Sequence, residues 1–160
     1  MIYYVLSRWD ANKDTLEKEL EAKGYEWLRS CGYKDLVKMV CDYILTPMND
    51  GTYKIDSEHI TEIDNGDYQG TLLYMIPFDT YQPNECEYLM TYVGYGSCSG
   101  CDTLQGIQAV MNEIQAVMNE VDLCINDFMT LCRDICAHTI RPYNTGWRED
   151  AIFNTVREEK

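Results

Sequence analysis

The residues of this chain best suited to chemistry are two cysteines set three apart in a run of small side chains: Tyr95, Gly96, Ser97, Cys98, Ser99, Gly100, Cys101 and Asp102. A CxxC spacing serves two chemistries. As a redox pair, Cys98 or Cys101 would act as a thiolate, a form favoured at a helix N-terminus, where unsatisfied backbone N–H groups carry partial positive charge. As half of a closed zinc centre, the two sulfurs would need two further soft donors, drawn from Cys86, Cys132, Cys136, His59 or His138. A third reading is structural: glycine and serine permit a tight turn, and the cysteines pack as small hydrophobes. Ser97, Ser99 and Asp102 would line a ligand pocket beside the sulfurs. Asp102 and the surrounding acids are expected to push a thiol pKa upward, and no Lys or Arg stands near in sequence to oppose them. The chain holds two histidines, so acid–base catalysis has few agents. His59 is the one candidate for a Cys–His pair, with Cys98 across a sheet, and His138 reads as a partner for a helix C-terminus. No catalytic residue is assigned and no cofactor is expected, zinc at the CSGC junction being the alternative.

The electrostatic setting of these residues is lopsided. Residues 55–132 hold 13 acidic side chains and no Lys or Arg, which accounts for nearly all of the net charge of −14. Nucleic acid and anionic membrane are bound mainly through Lys and Arg, so neither is expected as a direct partner. A basic protein is the partner that fits. Asp64, Asp67, Asp79, Glu85, Glu87, Glu113, Glu120, Asp122 and Asp127 are the candidates for such a binding surface, the alternative being that they serve solubility alone. Their spacing matches no EF-hand loop.

The elements that must position these groups follow from apolar periodicity. A length of 160 residues with 46% apolar and 25% charged content fits one domain, 1–160, with its own core. Its expected parts are a helical N-terminal region (1–47), an antiparallel sheet (55–95), a long helix (102–141) and a tail (142–160). The first helix is expected to start at Asp10 or Asn12, with Leu16, Leu20, Trp27 and Leu28 on its apolar stripe and an end near Gly24 left open. A second helix, Tyr33 to Leu45, places Leu36, Val37, Val40, Tyr43 and Ile44 on one face and ends before Pro47. Strands are expected over 58–64, 69–76 and 88–95, the first two joined by a turn at Asn65-Gly66. Both alternating sets of the second and third strands are apolar, which predicts burial on both faces. About three strands with helices before and after make an α+β fold.

From Asp102 onward the pattern is helical. Asp102 and Gln105 have capping-box spacing, and the tandem IQAVMNE, 107–113 and 114–120, adds one heptad without disturbing the apolar face. Unbroken to Ile140, this helix would be about 57 Å long, against a radius of gyration of about 15 Å for a compact chain of this size. It must therefore project from the body or break into a helix pair. Gly and Pro are missing from 107–141, so Asn119, Asp122, Asn126 and Asp127 are the weak points. In the tail, Trp147, Ile152, Phe153 and Val156 form a short amphipathic piece. Of the eight cysteines, Cys41, Cys124, Cys132 and Cys136 fall inside helical patterns, and most of the eight read as reduced core residues. The apolar start, Ile2 to Leu6, is too short for a signal-peptide core, and no stretch is long enough to cross a bilayer. A cytoplasmic location is the expectation.

The segments DYQGTLLYMIP (67–77), TYQPNECEYLMTYVGYGSCSGCDTLQGIQ (80–108) and FMTLCRDI (128–135) resemble a family of uncharacterised proteins encoded by bacteriophages and prophages. The likeness covers about half the chain and brings no activity or catalytic residue with it. It does imply a setting, the cytoplasm of a host cell. There, a small acidic phage protein would act as an inhibitor of a basic, nucleic-acid-binding host or defence protein, as a nucleic-acid mimic or in an anti-CRISPR-like way. A thiol- or metal-dependent protein centred on CSGC, and a structural phage component, are the alternatives.

Overall fold

The computed structural model describes residues 2–45, 54–84, 87–115 and 122–140. Helix α1 (Ile2–Ser30) leads into α2 (Tyr33–Val40) and a π-helical turn, Cys41–Leu45. Strands β1 (Thr61–Asp64), β2 (Gly70–Pro77) and β3 (Tyr88–Tyr95) follow, then helices α3 (Thr103–Gln115) and α4 (Asp122–Ala137). The sheet is antiparallel in the order β1-β2-β3, so the architecture is α+β.

Helix α1 begins well before either expected cap. Asn12 does not cap it; its side-chain amide donates to the carbonyls of Arg8 and Ile44, tying α1 to the π turn. Val5 and Trp9 thereby extend the buried stripe of Leu16, Leu20 and Leu28. Gly24 interrupts the helix with φ 83° and ψ 170°, a conformation open to a residue without Cβ, and the helix resumes to Ser30. Leu36, Val37, Val40 and Ile44 are buried as their periodicity predicts. The π turn carries Asp42, which pairs with Lys38 at 3.0 Å, and Lys38 reaches on to Glu58 at 2.8 Å.

The hairpin between β1 and β2 spans residues 65–69. Asn65 closes it by accepting from the Thr71 amide at 2.8 Å, and a Cβ on Gly66 would lie 2.1 Å from the Gln69 carbonyl oxygen, so the turn requires glycine. Burial on both sheet faces is not what forms. Tyr74, Ile76, Leu89, Thr91 and Val93 line a covered inner face, whereas Leu73, Met75 and Met90 on the other face are half-buried and Tyr92 is 45% exposed. A three-stranded sheet has only one helical layer here, and the apolar alternates of the outer face remain partly open among the described residues.

The expected long helix breaks. Ile135 in α4 offers its carbonyl to the Thr91 hydroxyl at 2.8 Å, and Ile140 bridges Met90. An unbroken helix would carry Ile135 about 48 Å from Thr103, so the chain has turned back, and α3 and α4 pack together. Leu104, Ile107 and Met111 of α3 and Cys124, Ile125, Phe128, Leu131, Cys132 and Ile135 of α4 join the core, whereas Val110 is 46% exposed. Among the described residues no helix is long and apolar enough to cross a membrane. The expected amphipathic piece at Trp147 to Val156 lies outside the described residues.

Candidate functional site: the Cys98–Cys101 junction

β3 ends at Tyr95, and the six residues 96–101 turn the chain into α3. The amides of Cys101 and Asp102 both donate to the Cys98 carbonyl, at 3.1 and 3.0 Å, which winds the CSGC segment into a single tight turn. Gly96 lies under it: a Cβ there would stand 2.5 Å from the Cys101 oxygen and 2.6 Å from its sulfur. Gly96 also donates to Asp102 Oδ2 at 3.0 Å and accepts from the Gln105 amide at 3.1 Å.

Asp102 is a buried brace, not a ligand-pocket residue. At 5% exposure it caps α3: Oδ1 accepts from the Gln105 backbone N–H at 3.0 Å and from the Tyr33 hydroxyl at 2.8 Å. Only half of the expected capping box forms, because the Gln105 side chain bonds Gly96 instead of reaching back to Asp102. Tyr33 completes the helix start by accepting from the Leu104 N–H at 3.1 Å. Its part in the site was invisible in sequence, since nothing local announces a tyrosine that caps a helix 69 residues downstream.

The two sulfurs lie on the surface above this brace. Cys98 Sγ and Cys101 Sγ are 2.8 Å apart and both cysteines are exposed. Cys101 Sγ also receives the Cys98 backbone N–H at 3.1 Å and has the Ser97 hydroxyl at 3.9 Å. The Cys98 thiol does most to hold the Cys101 pKa below its ordinary value; desolvation opposes it, and the Cys98 N–H and Ser97 add smaller lowering effects. That reverses the expected upward shift: Asp102 spends its charge on buried donors. Ser99 is exposed at the tip.

The other described cysteines behave differently. Cys31, Cys41, Cys124, Cys132 and Cys136 are buried. Burial pushes the Cys31 and Cys136 thiols up to about 12 and raises Cys132 and Cys41 as well. No group of three or more His, Cys, Asp or Glu side chains among the described residues is arranged to hold a metal. The zinc set drawn from Cys132, Cys136, His59 or His138 is therefore not assembled here, and Cys86 lies outside the described residues. His59 is not the base for Cys98: it bonds Asp56 at 2.6 Å before β1 begins, at the opposite end of the sheet from the junction. His138 follows α4 as expected, stacked on Tyr92 with ring centroids 4.2 Å apart.

The acidic candidates do not gather on one face. Asp64 and Asp67 belong to the hairpin at the junction end, where Tyr95 donates to Asp64 at 2.6 Å. Asp79 and Glu87 are at the other end of β2, about 24 Å away along seven strand steps. There Asp79 pairs with Lys54 at 3.2 Å, and Glu87 accepts from the Asn84 amide and the Thr80 hydroxyl. Glu113 and Asp127 are exposed on α3 and α4. Glu85, Glu120 and the Asp122 side chain lie outside the described residues. Comparison with protein families, with curated proteins and with solved structures finds no match to this chain.

Proposed function

We propose that this chain is a thiol-dependent protein whose Cys98–Cys101 pair exchanges with a disulfide of a partner molecule. The observation that carries this reading is the exposed pair of sulfurs 2.8 Å apart on a braced turn, in a chain whose other described cysteines are buried. Exchange needs a thiolate, access and a resolving thiol within bonding reach. The Cys101 thiolate attacks one sulfur of the partner disulfide and expels the other as a thiolate, which takes up a proton. Cys98, on losing its own proton, then attacks Cys101 Sγ in the mixed disulfide and releases the second partner sulfur. The products are a Cys98–Cys101 disulfide and a partner dithiol, so two electrons pass to the partner.

Equilibration with glutathione redox buffers, read by mass spectrometry of alkylated protein, tests this. The expected result is a reversible Cys98–Cys101 disulfide with a potential between about −270 and −120 mV, the span of known exchange proteins. Cys98→Ser should trap a mixed disulfide on Cys101. A pair that never oxidises, or one that resists reduction below about −300 mV as structural disulfides do, would end the proposal.

A second reading is favoured by Asp64, Asp67, Glu113 and Asp127, which are exposed with no cation paired to them among the described residues. In it, the acidic surface engages a basic host or defence protein in the manner the phage resemblance implies. Binding should weaken with salt and with joint charge reversal of Asp64, Asp67 and Glu113. Recovery of the chain in purified phage particles would favour a structural component instead.

A further inference from the structure

We infer that the outer edge of β1 is a docking strand for an extended basic segment, one that alternates Lys or Arg with apolar residues. This deepens the reading of a basic partner and rests on it for the sign of the charge; it does not depend on the dithiol. The two edges of the sheet differ. On the β3 side, Met90 and Ile140 exchange two backbone hydrogen bonds of 2.8 Å, and α4 packs alongside. On the β1 side, no strand pairs with the outer edge among the described residues. All four residues of β1 are exposed, Ile63 at 47%. Such an edge presents unpaired N–H and C=O groups, and an added strand satisfies them.

The side chains of β1 state what kind of strand fits. In the register with β2, Glu62 faces Tyr74 and Asp64 faces Leu72, so both carboxylates lie on one side of the sheet, about 7 Å apart. They are held in place: Glu62 accepts from the Tyr74 hydroxyl at 2.8 Å, and Asp64 accepts from the Tyr95 hydroxyl at 2.6 Å and the Gly66 amide at 3.0 Å. Among the described residues neither is in an ion pair, whereas Glu58 and Asp79 nearby have Lys38 and Lys54. Alternate residues of an incoming strand would meet these two carboxylates, which asks for cations at every second position. The residues between them would fall beside Thr61 and Ile63, on the half-open outer face that continues through Leu73, Met75, Met90 and Tyr92. There, apolar side chains extend an apolar surface.

The same charges argue against a second copy as the occupant. Two β1 edges paired with each other would bring Glu62 and Asp64 against like charges, which is how edge strands avoid self-association. A basic strand turns that repulsion into selection.

The probe is a capped peptide of about eight residues alternating Lys and Val, titrated into the full chain by fluorescence anisotropy with hydrogen exchange read on the 61–64 amides. Two controls keep its charge: one has the same residues in blocks, the other has N-methyl groups on alternate residues so that it cannot pair. The alternating peptide should bind at least about tenfold more tightly than either control, slow exchange in β1, and weaken as ionic strength rises from about 0.01 to 0.15 M. Ile63→Lys, at an exposed site, should weaken binding by a similar factor with circular dichroism unchanged. Equal affinity for all three peptides, or protection away from β1, would overturn the edge and leave the basic-partner reading standing. Failure of every cationic peptide to bind would overturn both.

Discussion

Replacing Tyr33 by Phe removes a single oxygen from the centre of the brace under the dithiol turn while keeping the aromatic ring. Tyr33 is 8% exposed, and its hydroxyl makes two bonds, donating to Asp102 at 2.8 Å and accepting from the Leu104 N–H at 3.1 Å. A hydrogen bond to a charged acceptor contributes about 1.5–3 kcal/mol. Leaving the buried Leu104 N–H unpaired costs about 1–3 kcal/mol more, reduced by whatever solvent reaches it. The sum, about 2.5–6 kcal/mol before that reduction, is a large share of the roughly 5–15 kcal/mol that holds a typical domain together. Guanidinium unfolding should therefore show a lower midpoint with an unchanged slope. A double-mutant cycle with Asp102→Asn should give a coupling of about 1–2 kcal/mol, since the two groups share one bond. The loosened start of α3 should also raise hydrogen exchange at Leu104 and Gln105. A loss below about 0.5 kcal/mol, the range of ordinary surface substitutions, together with no change in exchange, would mean that the brace does not hold the turn.

Three further outcomes follow from the same geometry. In native protein near pH 7, Cys98 and Cys101 should be alkylated long before Cys31 and Cys136, whose thiols at about 12 leave only about one in 100,000 ionised; peptide mapping after brief labelling checks this. Cys98→Ala removes the thiol that first lowers the Cys101 pKa, so titration of thiolate absorbance should show Cys101 moving upward, and an unchanged value would assign the lowering to the helix terminus instead. The Tyr95–Asp64 bond lowers the Asp64 pKa and raises Tyr95 to about 12. Its contribution is present from above the unfolded carboxylate value of about 4 up to the unfolded phenol value of about 10. It fades as pH falls through the depressed Asp64 value or rises towards 12, so Tyr95→Phe should flatten both limbs of a stability–pH curve measured by urea unfolding.

Periodicity carried the elements whose side chains need only one neighbour layer. Leu36, Val37, Val40 and Ile44 bury as their spacing requires, and the hairpin forms at Asn65-Gly66, where the turn leaves no room for a Cβ. It failed where long-range packing decides. The apolar alternates Leu73 and Met75 look the same in sequence whether or not a second layer exists to cover them, and the described residues supply one layer. The break between α3 and α4 carries no glycine or proline; it is imposed by Ile135 and Ile140 returning to β3. Of the site, CSGC and the cap at Asp102 were legible because both are local. Tyr33 and the splitting of the acids between two sheet ends were not, because each depends on which segments the fold brings together.

That division also bears on how the Cys101 thiol pKa is lowered inside the acidic block. An anionic residue placed directly before a helix ought to compete with a thiolate for the same partial positive charge. Here the competition is already settled. Asp102 is buried, and its oxygens are occupied by Gln105, Tyr33 and Gly96. The carboxylate thus caps the helix and fixes the turn. The sulfurs, exposed above it, draw their donors from Cys98 and Ser97 rather than from the helix. Buried carboxylate and exposed sulfurs occupy opposite sides of one turn, within a run of eight residues, 95–102, that holds no Lys or Arg.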